Sequence, residues 1–203
     1  GCSLHNGRPL ACRLFAIGRQ VQNNEVEYIH QVETFPCLDG CAEVVNLPHL
    51  TVGDYLMGQE TDQYEKAQDA YLELMQNLAD MAFELLLDSG LAESGDTKTL
   101  PLWRKMAHER PELLAKRIGS EWFDTLTIPD LSVDNNEALS FVQQHNELLQ
   151  LKAQAEFSTL QTIQEFHEAS ALMMGLAIHL VRAMGANPEQ LTEHWIETAK
   201  AHG

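Results

Sequence analysis

Residues 137–184 constrain this chain more than any other stretch. They contain no proline, meet their first glycine only at Gly175, and are mostly Leu, Ala, Gln, Glu, Ile, Met and Phe. Such residues lose little on entering a helix, so the stretch reads as one long helix or two nearly collinear ones. Asp134-Asn135-Asn136-Glu137 marks its start, because Asp134 can accept the first free amides and Glu137 can reach back to the cap. Gly185 marks its end, and Asn187-Pro188-Glu189-Gln190 opens the next helix with proline in the first turn. Leu139, Val142, Leu149, Ala153, Leu160 and Ile163 form a narrow apolar stripe, whereas Ala169 to Val181 is apolar nearly throughout. The second half is therefore expected to be buried on all sides. An unbroken helix of this span would reach about 70 Å and outrun a compact domain. Together with the small residues Ala171 and Gly175, that length favours a homodimer formed through the long helix; the alternative is packing within the chain.

The expected fold class is α+β, mainly α: an N-terminal β-hairpin module over residues 1–50, then a helical bundle of five or six helices over 51–203. Leu10 to Gly18 and Val26 to Phe35 are rich in strand formers, and Gln22-Asn23-Asn24-Glu25 between them is a turn that tolerates positive φ. With Gln22 facing Glu25, the ladder places Cys12 opposite Phe35. Thr51 to Asp54 has capping-box spacing, and Asp62 with Glu65 repeats it for a helix reaching about Asp88. Tyr64, Ala67, Tyr71, Leu74, Met75, Leu78, Ala82 and Leu85 share one face of that helix. Residues from Ser89 to Pro101 read as a loop; Pro101 to Glu109 and Pro111 to Phe123 read as two helices, and Pro188 to Ala201 as the last.

Charge narrows function. Thirty acidic residues against 13 basic ones give a formal net charge of −17, which argues against direct nucleic-acid or anionic-membrane binding. The same balance suits a protein that presents carboxylates where a partner expects nucleic acid. The opposite face of the 62–88 helix carries Asp62, Glu65, Asp69, Glu73, Asp80 and Glu84, which form the expected interaction surface. Arg104, Lys105, Arg110, Lys116 and Arg117 form a basic island that can pair internally with the acidic surface or hold a phosphate.

The four cysteines, Cys2, Cys12, Cys37 and Cys41, all fall in the N-terminal module. Four thiolates could hold a structural zinc, with His5 or His30 as substitutes, although only Cys37 and Cys41 are close. Free thiols and disulfides are the alternatives. The Gly1-Cys2 start also fits a lipid anchor at Cys2 after removal of a signal, against a cytoplasmic location otherwise. The longest apolar run is too short to span a bilayer.

Glu65, Asp69, Glu165 and Glu168 could serve as magnesium ligands in a helical nucleotide phosphohydrolase. Glu165, His167 and Glu168 make a second carboxylate-imidazole cluster, and His179 and His194 could meet if the last helix folds back. No nucleophile elbow, phosphate loop or dinucleotide fingerprint occurs. The expectation is a non-enzymatic interaction protein, an adaptor, chaperone-like subunit or inhibitor, with a nucleic-acid mimic as one concrete form; the alternatives are a metal-dependent helical nucleotide phosphohydrolase and a zinc-stabilised binding module.

Overall fold

A computed structural model describes residues 8–15, 17–22, 25–30, 49–90, 97–131 and 137–202. The chain forms two compact units, residues 1–68 and 69–203. The fold is α+β and mainly helical, with one two-stranded antiparallel sheet and nine helices among the described residues.

In the first unit, α1 (Leu10–Leu14) leads into β1 (Ile17–Gln22) and β2 (Glu25–His30), followed by α2 (Val52–Gly58). The hairpin register runs from Gln22 opposite Glu25 to Ile17 opposite His30, as the two-asparagine turn implies. Thr51 caps α2 by accepting the Asp54 amide at 3.1 Å. The expected strand from Leu10 is a correction: Leu-Ala-Cys-Arg-Leu are good helix formers, and with the φ of Pro9 already fixed they close one helical turn before the chain extends at Ile17. Cys12 is therefore exposed on α1 and has no place in the ladder; Phe35 lies outside the described residues.

The centre of this unit is Arg13, only 4% exposed. Its guanidinium donates to the carbonyls of Gln59 (2.8 Å) and Arg8 (3.1 Å) and to the Tyr64 hydroxyl (2.9 Å), and it lies 4.1 Å from the centre of the Tyr64 ring. The Tyr55 hydroxyl donates to the carbonyls of Arg13 and Phe15. One cation thus joins α1, the end of α2 and the start of α3 (Asp62–Asp88).

α3 has the expected bounds, and the unit division falls between Gln68 and Asp69 within it. Its apolar face is buried: Leu74, Leu78 and Ala82 are at most 1% exposed. The second unit continues with α4 (Thr99–His108), α5 (Pro111–Ile118), α6 (Ser120–Thr127), α7 (Ala138–Phe157), α8 (Ile163–Ala183) and α9 (Pro188–His202). Two helices, α5 and α6, replace the single one expected from Pro111. Gly119 between them adopts φ 85° and ψ 153°, a conformation open essentially to glycine alone, and this turns the chain.

The long stretch is likewise two helices. α7 stops at Phe157, and α8 starts with a full capping box, in which the Thr162 hydroxyl accepts the Glu165 amide and the Glu165 carboxylate accepts the Thr162 amide. Each helix is about 30 Å long, the size of an ordinary domain, so neither outruns the fold. α7 begins with Glu137 as an N-cap that makes no side-chain bond; Asp134 lies outside the described residues. α8 is the axis of the second unit, packed against α4, α5, α6 and α9 and bonded to α3 by the Ser170 hydroxyl, which donates to the Ala82 carbonyl at 2.7 Å. Met173, Met174, Leu176, Ala177, Ile178 and Val181 are fully buried, as the unbroken apolar run predicts. Gly175 lets α5 approach: a Cβ there would lie 3.2 Å from Ile118 Cγ1. Gly185 at φ 77° and the Asn187 side chain, which accepts the Glu189 and Gln190 amides, make the expected turn into α9.

Candidate functional site

Along the polar face of α3 the six expected carboxylates do not behave alike. Asp62, Glu73, Asp80 and Glu84 are exposed, and Asp69 is half-buried. Asp62 holds Lys66 at 2.7 Å. Glu65 is turned onto the hairpin instead: it accepts the Tyr28 hydroxyl at 2.8 Å, and Arg19 Nε lies 4.0 Å from the same oxygen. Burial, and then the Glu65 bond, push the Tyr28 phenol up, which keeps it a donor. Glu65 thus helps to hold the first unit together, because the strand register places Tyr28 opposite Arg19 on the face toward α3.

The other candidate clusters are spread apart. Glu165 is the carboxylate of the α8 cap, and the Gln161 and Thr162 amides hold its pKa below the usual range. His167 shares a 2.8 Å hydrogen bond with the Thr99 hydroxyl, and Glu168 accepts the Gln164 amide at the surface. Among the described residues no three His, Cys, Asp or Glu side chains converge as a metal would require. Cys2, Cys37 and Cys41 lie outside those residues.

His179 rests edge-on against Phe123, 4.8 Å between ring centres, and burial lowers its pKa, while His194 is exposed. A histidine that sequence reasoning did not single out is more deeply placed. His145 is 1% exposed, bonds the Thr125 carbonyl through Nε2 at 3.0 Å, and has no hydrogen-bond partner at Nδ1. Tyr71 and Phe141 pack around it, and burial pushes its pKa down.

Two of the five residues of the basic island pair within the chain, while Lys105, Arg110 and Lys116 are exposed and make no ion pair among the described residues. Arg104 makes a two-pronged pair with Glu193 (2.6 and 2.8 Å), and Arg117 makes one with Glu109 (2.7 and 3.2 Å). Arg182 donates to the Met106 and Ala107 carbonyls at the end of α4, where a cation suits the helix terminus. Lys152 pairs with Glu121 and covers the Trp122 ring. Among the described residues no cation pairs with Glu73, Asp80, Glu84 or Asp88.

One cavity of about 440 Å³ opens where α3 and α7 end and α8 begins. Its apolar wall is Met81, Leu85, Ala153, Phe157, Leu160 and Phe166, and Phe157 is steadied by stacking on Trp122 at 5.8 Å. Glu84, Asp88, Gln150, Gln154 and Ser158 supply the polar rim, and no lining residue is basic. Glu84 and Asp88 are one turn apart at the C-terminal end of α3, beside the C-terminal end of α7, while the N-terminus of α8 at the same cavity carries the opposite partial charge and is capped by Glu165. Sequence reasoning placed only Glu84 in a candidate site, because the cavity exists only where the chain breaks between Phe157 and Ile163. No helix among the described residues is long and apolar enough to cross a membrane. Compared with protein-family models, curated proteins and solved structures, the chain finds no match in any of the three.

Proposed function

We propose that this chain is a non-enzymatic interaction protein, an adaptor or inhibitor that presents the carboxylates of α3 to a basic partner surface. The observation that carries this reading is the group of exposed carboxylates along one helix that no cation among the described residues pairs with. Arg104, Arg117, Lys152 and Lys66 are held by the chain's own carboxylates, whereas Glu73, Asp80 and Glu84 project into solvent without a cation. With a net charge of −17, such unpaired carboxylates attract a basic surface at long range and release it as salt rises. A nucleic-acid mimic that occupies a basic groove is the concrete form, since carboxylates projecting from one helix can stand in for phosphates.

The test compares the protein with a Glu73→Gln, Asp80→Asn, Glu84→Gln variant as bait, at low and at high salt. All three positions are exposed, so the variant keeps the fold. Partners with basic grooves should be retained by the original chain at low salt and lost both in the variant and at high salt, and nucleic acid should compete for them. Partners that persist in the variant, or binding indifferent to salt, would reject the proposal.

A further inference from the structure

The geometry points to a second binding site, which shares Glu84 with the α3 carboxylate face: the cavity at the ends of α3 and α7 receives a small organic cation with an apolar body. A volume of about 440 Å³ is that of a small-molecule pocket. Leu85, Ala153, Phe157 and Phe166 offer carbon surface, and two aromatic rings among them can face a planar or aliphatic body. Charge selects the other end of the ligand. Glu84 and Asp88 border the opening without a cation of the chain's own, and no lining residue is basic. Glu84 and Asp88 are exposed and stay hydrated beside a neutral ligand, which therefore gains nothing from them, and an anion would be repelled by them. An ammonium or amidinium group on a hydrophobic body satisfies both parts of the lining, and it can reach the Gln150 and Gln154 side-chain oxygens.

The test uses three probes of one shape and different charge: 1-naphthylmethylamine, 1-naphthylmethanol and 1-naphthoate. Binding is followed by calorimetry and by amide chemical shifts of the full chain at pH 7. The expected order is amine, then alcohol, then naphthoate, with the amine ahead of the alcohol by about tenfold in Kd, the size of one useful charge contact. Shifts should centre on residues 81–88 and 153–166. Changing Glu84→Gln and Asp88→Asn together should abolish the preference for the amine while leaving alcohol binding within about twofold, since the apolar wall is untouched. Gln150→Lys, another exposed substitution, should weaken the amine and strengthen naphthoate. Equal affinity for amine and alcohol, amine binding that survives the double substitution, shifts elsewhere on the chain, or no saturation at millimolar amine would each overturn the inference. Glu84 belongs to both surfaces, so the two losses are separated by variants outside the overlap: Asp88→Asn should weaken the amine and spare a protein partner, and Glu73→Gln with Asp80→Asn should do the reverse.

Discussion

The two units solve the same stability problem with different materials. In residues 1–68, Leu14 and Ala67 are the buried apolar side chains among those described, while Phe15, Val21, Val26, Ile29 and Met57 stay more than two-fifths exposed. That unit is held by directional bonds, from Arg13 to two carbonyls and a tyrosine and from Tyr28 to Glu65. In residues 69–203 most of the cohesion comes from volume: α8 packs against four helices and buries Met173, Met174, Leu176, Ile178 and Val181 completely. A unit built on directional bonds fails when one donor is removed, and a unit built on packing fails when space is left empty.

The largest expected effect belongs to the packed unit. Leu176 is fully buried at the middle of α8, and Leu176→Ala should destabilise it by about 2–5 kcal/mol, the cost of lost burial plus an unfilled cavity. Denaturant unfolding followed through Trp103, Trp122 and Trp195, all of which lie in this unit, measures it. A loss below about 1 kcal/mol would mean that α8 is not the axis of the packing.

Arg13→Ala comes next, at about 2–3 kcal/mol for removing a charged donor from buried carbonyls. Amide exchange should accelerate in α1, β1, β2 and α2. Arg13→Lys should recover only part of the loss, because a single ammonium cannot reach all three acceptors in the fork geometry of a guanidinium. Unchanged exchange in the hairpin would show that the unit does not depend on this side chain.

How much of this was legible from residues alone follows the same division. The hairpin register, both ends of α3 and the Gly185–Asn187 turn are local, written in a turn pair, a periodic face and a glycine beside an Asn-Pro. The burial of Ala169 to Val181 was legible because a helix apolar on every side has nowhere else to go. The role of Arg13 was not, since it depends on the Gln59 carbonyl 46 residues away and the Tyr64 hydroxyl 51 away. The break after Phe157 did have a signal, Thr162-Ile163-Gln164-Glu165, but Leu160 and Ile163 continue the apolar spacing of α7 and disguise it. Ile163 is in fact 61% exposed, so the spacing carried no burial there. The cavity, which needs three helix ends to meet, has no local signature at all.

Acid sharpens the comparison from another side. Burial lowers the pKa of His145 and, with Arg182 nearby, that of His179, both in the packed unit. A histidine with a depressed folded pKa stabilises the fold fully above its ordinary value near 6.5, and that contribution falls as pH drops below it, because the unfolded chain takes up the proton first. Each such group changes stability by at most about 1.4 kcal/mol per pH unit. The depressed carboxylates Glu109, Glu121, Glu165 and Glu193 act only at lower pH, so the window from 7 to 5.5 isolates the imidazoles. Stability measured at pH 7 and 5.5 should fall in the original chain and fall less in His145→Gln. Equal slopes in the two would show that His145 takes no part.

The smallest effect is the most decisive about architecture, because its sign depends on where the helix breaks. If residues 137–184 formed one helix, Thr162 would sit at an interior exposed position, and Thr162→Ala would stabilise the chain by about 0.5 kcal/mol through better helix propensity. In the capped arrangement the Thr162 hydroxyl accepts the Glu165 amide at 3.2 Å, and its loss should cost about 1 kcal/mol. Glu165→Gln tests the other half of the box. The amide oxygen can still accept the Gln161 and Thr162 amides but without a charge beside the helix N-terminus, so a smaller loss is expected. Stabilisation by Thr162→Ala would rejoin α7 to α8 and close the gap on which the cavity between them depends. Destabilisation, with faster amide exchange confined to the first turn of α8, would fix the break at residues 158–162 and leave the cavity wall formed by Leu160 and Phe166 in place.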